Sequence, residues 1–172
     1  TGYTFDGWYT TASGGSLVIG TDGKLQPNVK DYTNGSSQWI KASGATLYAH
    51  WTVEQYTLTW DLNGGTVTTA GTCAPLKSTG IVSGKVDYLS SITAPIVSKD
   101  GYTFSGWKAE NGNGLVKPAS KMPYGNLKYI AVYSINTYQI TVNDNLSLGK
   151  VYIKVDGKNQ GTTYTCQTGK TI

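Results

Sequence analysis

From Tyr56 to Leu62 apolar and polar residues alternate strictly: Tyr56, Leu58, Trp60 and Leu62 fall on one face, Thr57, Thr59 and Asp61 on the other. That is the signature of a half-buried strand. Asn63-Gly64 then predicts a type I′ hairpin turn into a strand at Thr66–Thr69. Residues 70–84 are small and polar and read as a loop. A short strand follows at Lys85–Leu89, and Ser90–Ile92 is compatible with one helical turn before Pro95. Tyr102–Lys108 reads as a strand, Glu110–Gly114 as a turn cluster, and Leu127–Tyr133 as a closing strand.

Upstream, Tyr3–Tyr9 and Leu47–Trp51 read as strands joined by a long connection. Within it Ser16–Ile19 and Lys24–Gln26 flank Asp22-Gly23, a hairpin signal. Val29–Tyr32 has room for a single helical turn, and Asn34-Gly35 marks another turn. Thr52–Gln55 reads as a short linker. Downstream, Tyr138–Val142 restarts the alternation, and Val151–Val155 is expected to pair with Gly161–Thr165 across Asp156-Gly157.

One stretch occurs twice. Gly101-Tyr102-Thr103-Phe104-Ser105-Gly106-Trp107 repeats Gly2-Tyr3-Thr4-Phe5-Asp6-Gly7-Trp8 with a single change, Ser105 for Asp6. Each copy is followed by an aromatic strand, so the chain is a repeat protein. Tyr102 and Phe104 share a strand face, and Gly106 is expected to form a bulge that re-aims Trp107. Burying one such aromatic ring removes roughly 150–250 Å² from water, about 4–6 kcal/mol gross. A structural role for Tyr3, Phe5, Trp8, Tyr102, Phe104 and Trp107, framed by Gly2, Gly7, Gly101 and Gly106, therefore outweighs a binding role.

These motifs, with the strand and turn from Tyr56 to Gly65, resemble the Listeria–Bacteroides repeat, also called the internalin B-repeat type. The resemblance covers one full module near residues 54–134, the back half of another, and the front half of a third. It implies an all-β or α+β fold of tandem small β-grasp-like modules, mostly antiparallel strands with little helix. It further implies extracellular bacterial modules of large surface proteins linked to adhesion, with no shared catalytic residues. The expected organisation is a first repeat's carboxy-terminal part at 1–53, carrying a long insertion at 12–45, then a complete module at 54–135. A third, divergent module starts at 136–172, where Asn143-Asp144-Asn145 departs from the family's Asn-Gly-Gly turn.

Composition sharpens the picture in three places. Charged residues make up only 14%, while Gly, Thr, Ser and Tyr abound, which suits strands and turns. The net charge of +4 comes from scattered lysines without any arginine, which disfavours nucleic acid as a partner. No apolar run is long enough to span a membrane, and the opening residues are not a signal peptide. Any address or anchor is expected outside this stretch. Cys73 and Cys166 lie 93 residues apart without metal-ligand spacing; pairing and two free thiols both stay open.

The search for catalysis is brief. His50 is the single histidine, expected on a solvated face opposite Trp51, and no G-x-S-x-G elbow accompanies it. The ten acids are dispersed, and Asp22, Asp100 and Asp156 stand before glycines, where Asp serves turns. No phosphate-binding or dinucleotide fingerprint occurs, and no cofactor or metal is expected. Asn143-Asp144-Asn145 has too few carboxylates for a firm calcium site. A Lys–Asn isopeptide staple beside an acid is a further possibility, with no triplet marked. An intact mass short by one ammonia would reveal it.

What remains is recognition. Trp8 to Trp51 spans 43 residues where Trp107 to Tyr133 spans 26, so the first module carries about 17 more. Long connections are functional or mobile. Tyr32 and Trp39 in that insertion are the candidates for ligand binding, against the plainer reading of a hairpin covering a sheet. The expectation is a non-catalytic extracellular array, acting as stalk and adhesive surface for host protein or glycan. The alternative is a carbohydrate-binding module of a secreted glycan-degrading enzyme, which requires Tyr32 and Trp39 to be exposed and coplanar with another ring. An enzyme whose site is completed by further domains is a distant third.

Overall fold

In the computed structural model, which describes residues 1–143 and 149–169, the described residues form strands, turns and irregular segments without any helix. The protein is all-β. Its contacts gather into two compact units. One comprises Thr1–Tyr56 with Val86–Ser90 and Lys121–Gly125; the other comprises Thr57–Lys85, Ser91–Ser120 and Asn126–Ile172.

In the first unit β1 (Tyr3–Tyr9), β2 (Leu17–Ile19) and β3 (Tyr48–Val53) form an antiparallel sheet in the order β2-β1-β3. The larger sheet holds β4 (Gln55–Thr69), β5 (Thr79–Asp87), β6 (Ile96–Ser98), β7 (Tyr102–Ala109), β8 (Leu115–Val116) and β9 (Leu127–Ile135). Its order is β5-β4-β9-β7-β8, with β6 also pairing on β4. At its centre β4 and β9 run parallel, in register Leu58↔Leu127 to Asp61↔Ile130. The chain continues with β10 (Thr137–Thr141), β11 (Lys154–Val155), β12 (Lys158–Asn159) and β13 (Thr163–Gln167). β10 pairs with β13, and β11 with β12.

The alternation in β4 does what its pattern predicts. Leu58, Trp60 and Leu62 point into the core and are fully buried. Trp60 packs its ring 4.8 Å from that of Trp107 and 5.1 Å from that of Tyr129, centroid to centroid. Its indole N–H donates to the Thr72 carbonyl at 2.7 Å, so the buried polar end is satisfied.

The duplicated motif folds the same way twice. β1 slips register on β3 between Phe5 and Gly7, and β7 slips on β9 between Phe104 and Gly106. The glycines take φ of 123° and 142° there, a region that side chains avoid. Strict alternation would place residues three apart on opposite faces; the extra bulge residue returns the tryptophan to the phenylalanine's face. Phe5 and Trp8 accordingly meet edge to face at 5.6 Å, and Phe104 and Trp107 at 5.5 Å.

Several expectations fail, each for a physical reason. Asn63-Gly64 does adopt the two positive φ values of a type I′ turn, 46° and 78°, yet the chain does not reverse. β4 runs on through it, leaving β9 and meeting β6 at Thr66↔Ser98. Asn63 is held by its neighbours: its Nδ2 donates to Ala131 O and its own carbonyl accepts from Lys99 Nζ, both at 3.0 Å. The loop expected over 70–84 is shorter, because β5 already starts at Thr79. β5 is a largely exposed strand at the end of the sheet, with Ile81 64% exposed and only Val86 of its side chains buried. Ser90–Ile92 forms no helical turn; Ile92 N–H donates to Ser120 O instead. Val29–Tyr32 makes one hydrogen-bonded turn, Val29 O accepting from Tyr32 and Thr33 at 2.9 Å. The linker shrinks to Glu54 alone between β3 and β4. Asp156-Gly157 does turn a short hairpin, and Ile153 N–H donates to Gly161 O at 2.8 Å as expected, but Thr163–Gln167 pairs with β10. Asp144 and Asn145 lie outside the described residues.

Candidate functional site

Residues 10–47 of the first unit are folded down by backbone bonds and one buried hydroxyl. β2 turns back at Gly20–Lys24, and Gln26 N–H donates to Val18 O at 2.8 Å. Thr33 is buried and bridges the segment: its hydroxyl accepts from Val29 N–H at 2.9 Å and donates to Gln26 O at 2.5 Å. Asn34 then closes a tight loop, its Oδ1 accepting from the Ser36 and Gln38 amides at 3.1 and 3.0 Å. Ile40 N–H returns to Tyr32 O at 2.9 Å, and Thr33 pairs with Trp39.

This small hairpin brings the two candidate aromatics together. Tyr32 and Trp39 stand 5.7 Å apart with their planes 82° from parallel. Trp39 is 41% exposed, but its indole N–H is engaged by Lys41 O at 2.9 Å. Lys41 Nζ lies 4.9 Å from the Tyr32 ring centre, a cation–π contact. The pair therefore presents an edge-to-face aromatic knob with a cation beside it. It is no coplanar platform for a sugar ring.

A second aromatic surface escaped the sequence reading. On β1 and β3, Phe5 contacts both Trp8 and Trp51, at 5.6 and 5.1 Å. Trp8 is 41% and Trp51 58% exposed. A shallow groove of about 380 Å³ lies beside Thr1, Tyr3 and Trp51. In the larger sheet the equivalent residues, Phe104, Trp107 and Tyr133, form the same cluster, yet Trp107 is only 5% exposed because Trp60 covers it. Among the described residues, the three-stranded sheet has no strand in the place of β4.

The other sequence candidates are accounted for. His50 is not merely solvated: it stacks on Tyr9 at 3.9 Å with planes 6° apart, and its Nε2 is 2.8 Å from Thr11 O. Cys73 and Cys166 are separate free thiols, and burial pushes the Cys73 thiol above its usual value. Asp6 accepts from the Thr52 hydroxyl at 2.7 Å, where the other copy has a Ser105–Ser134 hydroxyl pair at 3.3 Å. Among the described residues no three His, Cys, Asp or Glu side chains gather as metal ligands, and no helix is long and apolar enough to cross a membrane.

Comparison with known proteins gives this twice-built motif its place. Residues 1–30 and 56–132 match the family model of the Listeria–Bacteroides repeat domain. The chain belongs to that repeat family. This Listeria–Bacteroides repeat protein is similar to Internalin H of Listeria monocytogenes, 33% identical over 147 residues, covering 84% of this chain and 20% of that one. It is also similar to a protein of Evansella cellulosilytica described as a Gly-rich membrane protein, 30% identical over 149 residues, covering 84% of this chain and 15% of the other. The chain thus spans a fifth or less of the length of these relatives. No solved structure matches it.

Proposed function

We propose that these residues are part of a non-catalytic, extracellular array on a bacterial surface protein, serving as stalk and as adhesive surface. One observation carries the reading. The same motif builds the same bulged aromatic hairpin in β1/β3 and in β7/β9, in a chain similar to an internalin. Modules at 1–53, 54–135 and 136–172 are the units of that array. The parallel central pair β4/β9, with β5 beside β4 and β7 beside β9, supports a β-grasp-like module. A stalk requires repetition and stable cores, and both are supplied by strands and rings rather than by a reactive site.

The adhesive part rests on the insertion. Tyr32, Trp39 and Lys41 offer an aromatic edge, an exposed indole face and a positive charge within one hairpin. That combination suits a host surface protein or a glycan bearing acidic groups better than a flat neutral sugar. Binding of the chain to an array of matrix proteins, mucins and glycans tests it, with Trp39→Ala alongside. Binding that disappears in Trp39→Ala is the expected result. A folded chain that binds nothing at high micromolar concentration reduces the function to that of a spacer.

A further inference from the structure

Two places in the chain repeat each other bond for bond; the duplicated motif supplies the glycine and the threonine of each, and no shared motif marks the other partners. Glu54, the single residue between β3 and β4, donates its N–H to Gly2 O at 3.0 Å and accepts Tyr88 N–H on its own carbonyl at 2.8 Å. Asn136, the single residue between β9 and β10, donates to Gly101 O at 2.9 Å and accepts Thr168 N–H at 3.1 Å. The side chains correspond as well. Thr4 Oγ1 donates to Glu54 Oε1 at 3.2 Å, and Thr103 Oγ1 donates to Asn136 Oδ1 at 2.7 Å.

The glycines complete the match. Gly2 and Gly101, the first residues of the two motif copies, have φ of 78° and 77°. A Cβ at Gly2 would stand 2.2 Å from the Tyr88 ring, and one at Gly101 would collide with the Thr168 side chain. Tyr88 directly follows β5, and Thr168 directly follows β13. β5 neighbours β4, and β13 pairs with β10, so both side chains come from the strand beside the one that leaves the joint.

We propose that the first glycine of each motif is a docking seat, and the residue between the strands a two-sided clip, joining one module to the next of the same chain. The partner surface is chemically defined: the turn after the strand that lies beside the following module's first strand, whose side chain lies on the bare glycine. The clip's amide closes the ladder of the module behind it, and its carbonyl closes the ladder of the module ahead. Carboxylate and carboxamide serve equally, since each offers the oxygen that the threonine needs. This rests on reading the chain as tandem modules and is independent of whether the insertion binds a ligand.

Residue-resolved amide hydrogen exchange on the intact chain tests the seat. Gly101→Val is expected to speed exchange of the Asn136 amide by roughly tenfold or more, while the Trp60 and Tyr129 amides keep their protection. Any side chain at a positive φ is strained, so a second variant separates strain from collision. Gly101→Val with Thr168→Gly keeps the strain and removes the obstruction; protection of Asn136 should largely return. Equal loss in both variants, or no loss in the first, overturns the proposal. The same pair at the other joint, Gly2→Val with and without Tyr88→Gly, is read on the Glu54 amide and gives an independent answer should either chain misfold. Ligand binding through Trp39 is unmoved by these outcomes, so the two readings fail separately.

Discussion

Trp8 and Trp107 hold the same place in the same motif, on strands bent by the same bulge and paired to similar closing strands. One is 41% exposed and the other 5%. The difference lies in a strand distant in sequence. β4 lays Trp60 over Trp107 and Tyr129, whereas among the described residues no equivalent strand covers Trp8. The motif therefore shapes an aromatic face without deciding whether that face is core or surface. The same motif has different energetic weight according to what lies on top of it.

The strongest way to break the comparison is truncation. Trp107→Ala should cost the second unit about 3–5 kcal/mol, because it empties a buried site beside Trp60. Trp8→Ala should cost the first unit less, about 1–2 kcal/mol, because Trp8 is already 41% exposed. Urea unfolding followed by exchange at Leu58 and Val18, one reporter per unit, separates the two. Equal costs would mean that Trp8 is hidden in solution.

A graft sharpens the comparison from the other side. Placing a second copy of residues 56–98 ahead of Thr1 should lay a strand like β4 on this face. Shielding of Trp8 and Trp51 from acrylamide quenching, with a gain of about 2–4 kcal/mol in the first unit, is the expected result. Quenching as strong as before would show that the face does not accept such a strand.

The bulge glycines give a smaller contrast. Both have positive φ, so alanine strains either backbone by about 1–3 kcal/mol. At Gly7 the new Cβ also meets Leu17 and lies 2.6 Å from Ile19 O, while at Gly106 it finds only Leu115 side-chain atoms at 3.4 Å. Gly7→Ala should therefore be the more damaging of the two, despite sitting in the less buried sheet. Thermal melts of the two variants check it.

The smallest effect is one of pH. Tyr56 donates its phenol hydroxyl to Glu54, and desolvation, aided by that bond and the carboxylate's charge, raises its pKa from 10.0 to about 12. A neutral form favoured in the folded state stabilises fully below pH 10 and loses that contribution as pH climbs toward 12. Tyr56→Phe should flatten this part of the alkaline stability profile.

Much of this fold is legible in the sequence where local pattern decides it. The aromatic alternation gives β1, β4, β7 and β9, and the glycine inside each motif marks its bulge. Asn63-Gly64 shows the limit. Its backbone angles follow from the residue types, but whether the chain reverses there depends on β9 and β6, which offer partners on either side of the bend. β5 is hidden for another reason: Thr79–Gly84 has little to bury and becomes a strand because β4 stands beside it. At the candidate site, the turn chemistry of Asn34 is readable, and so is the nearness of Tyr32 to Trp39. The perpendicular set of their rings is not, since Lys41 and the Trp39 indole bond fix it in space. Exposure of Trp8 and Trp51 is the property furthest from local pattern, being settled by a strand that the first sheet lacks among the described residues.

The one-residue passages at Glu54 and Asn136 have a mechanical consequence. A loose tether between folded bodies acts as an entropic spring, lengthening under small pulls while the folded bodies stay unloaded. Here the last strand of one hairpin and the first of the next are separated by a residue whose amide and carbonyl are both taken. There is no slack to draw out. Tension along the chain reaches the β-ladder hydrogen bonds directly, and the first extension must come from breaking them.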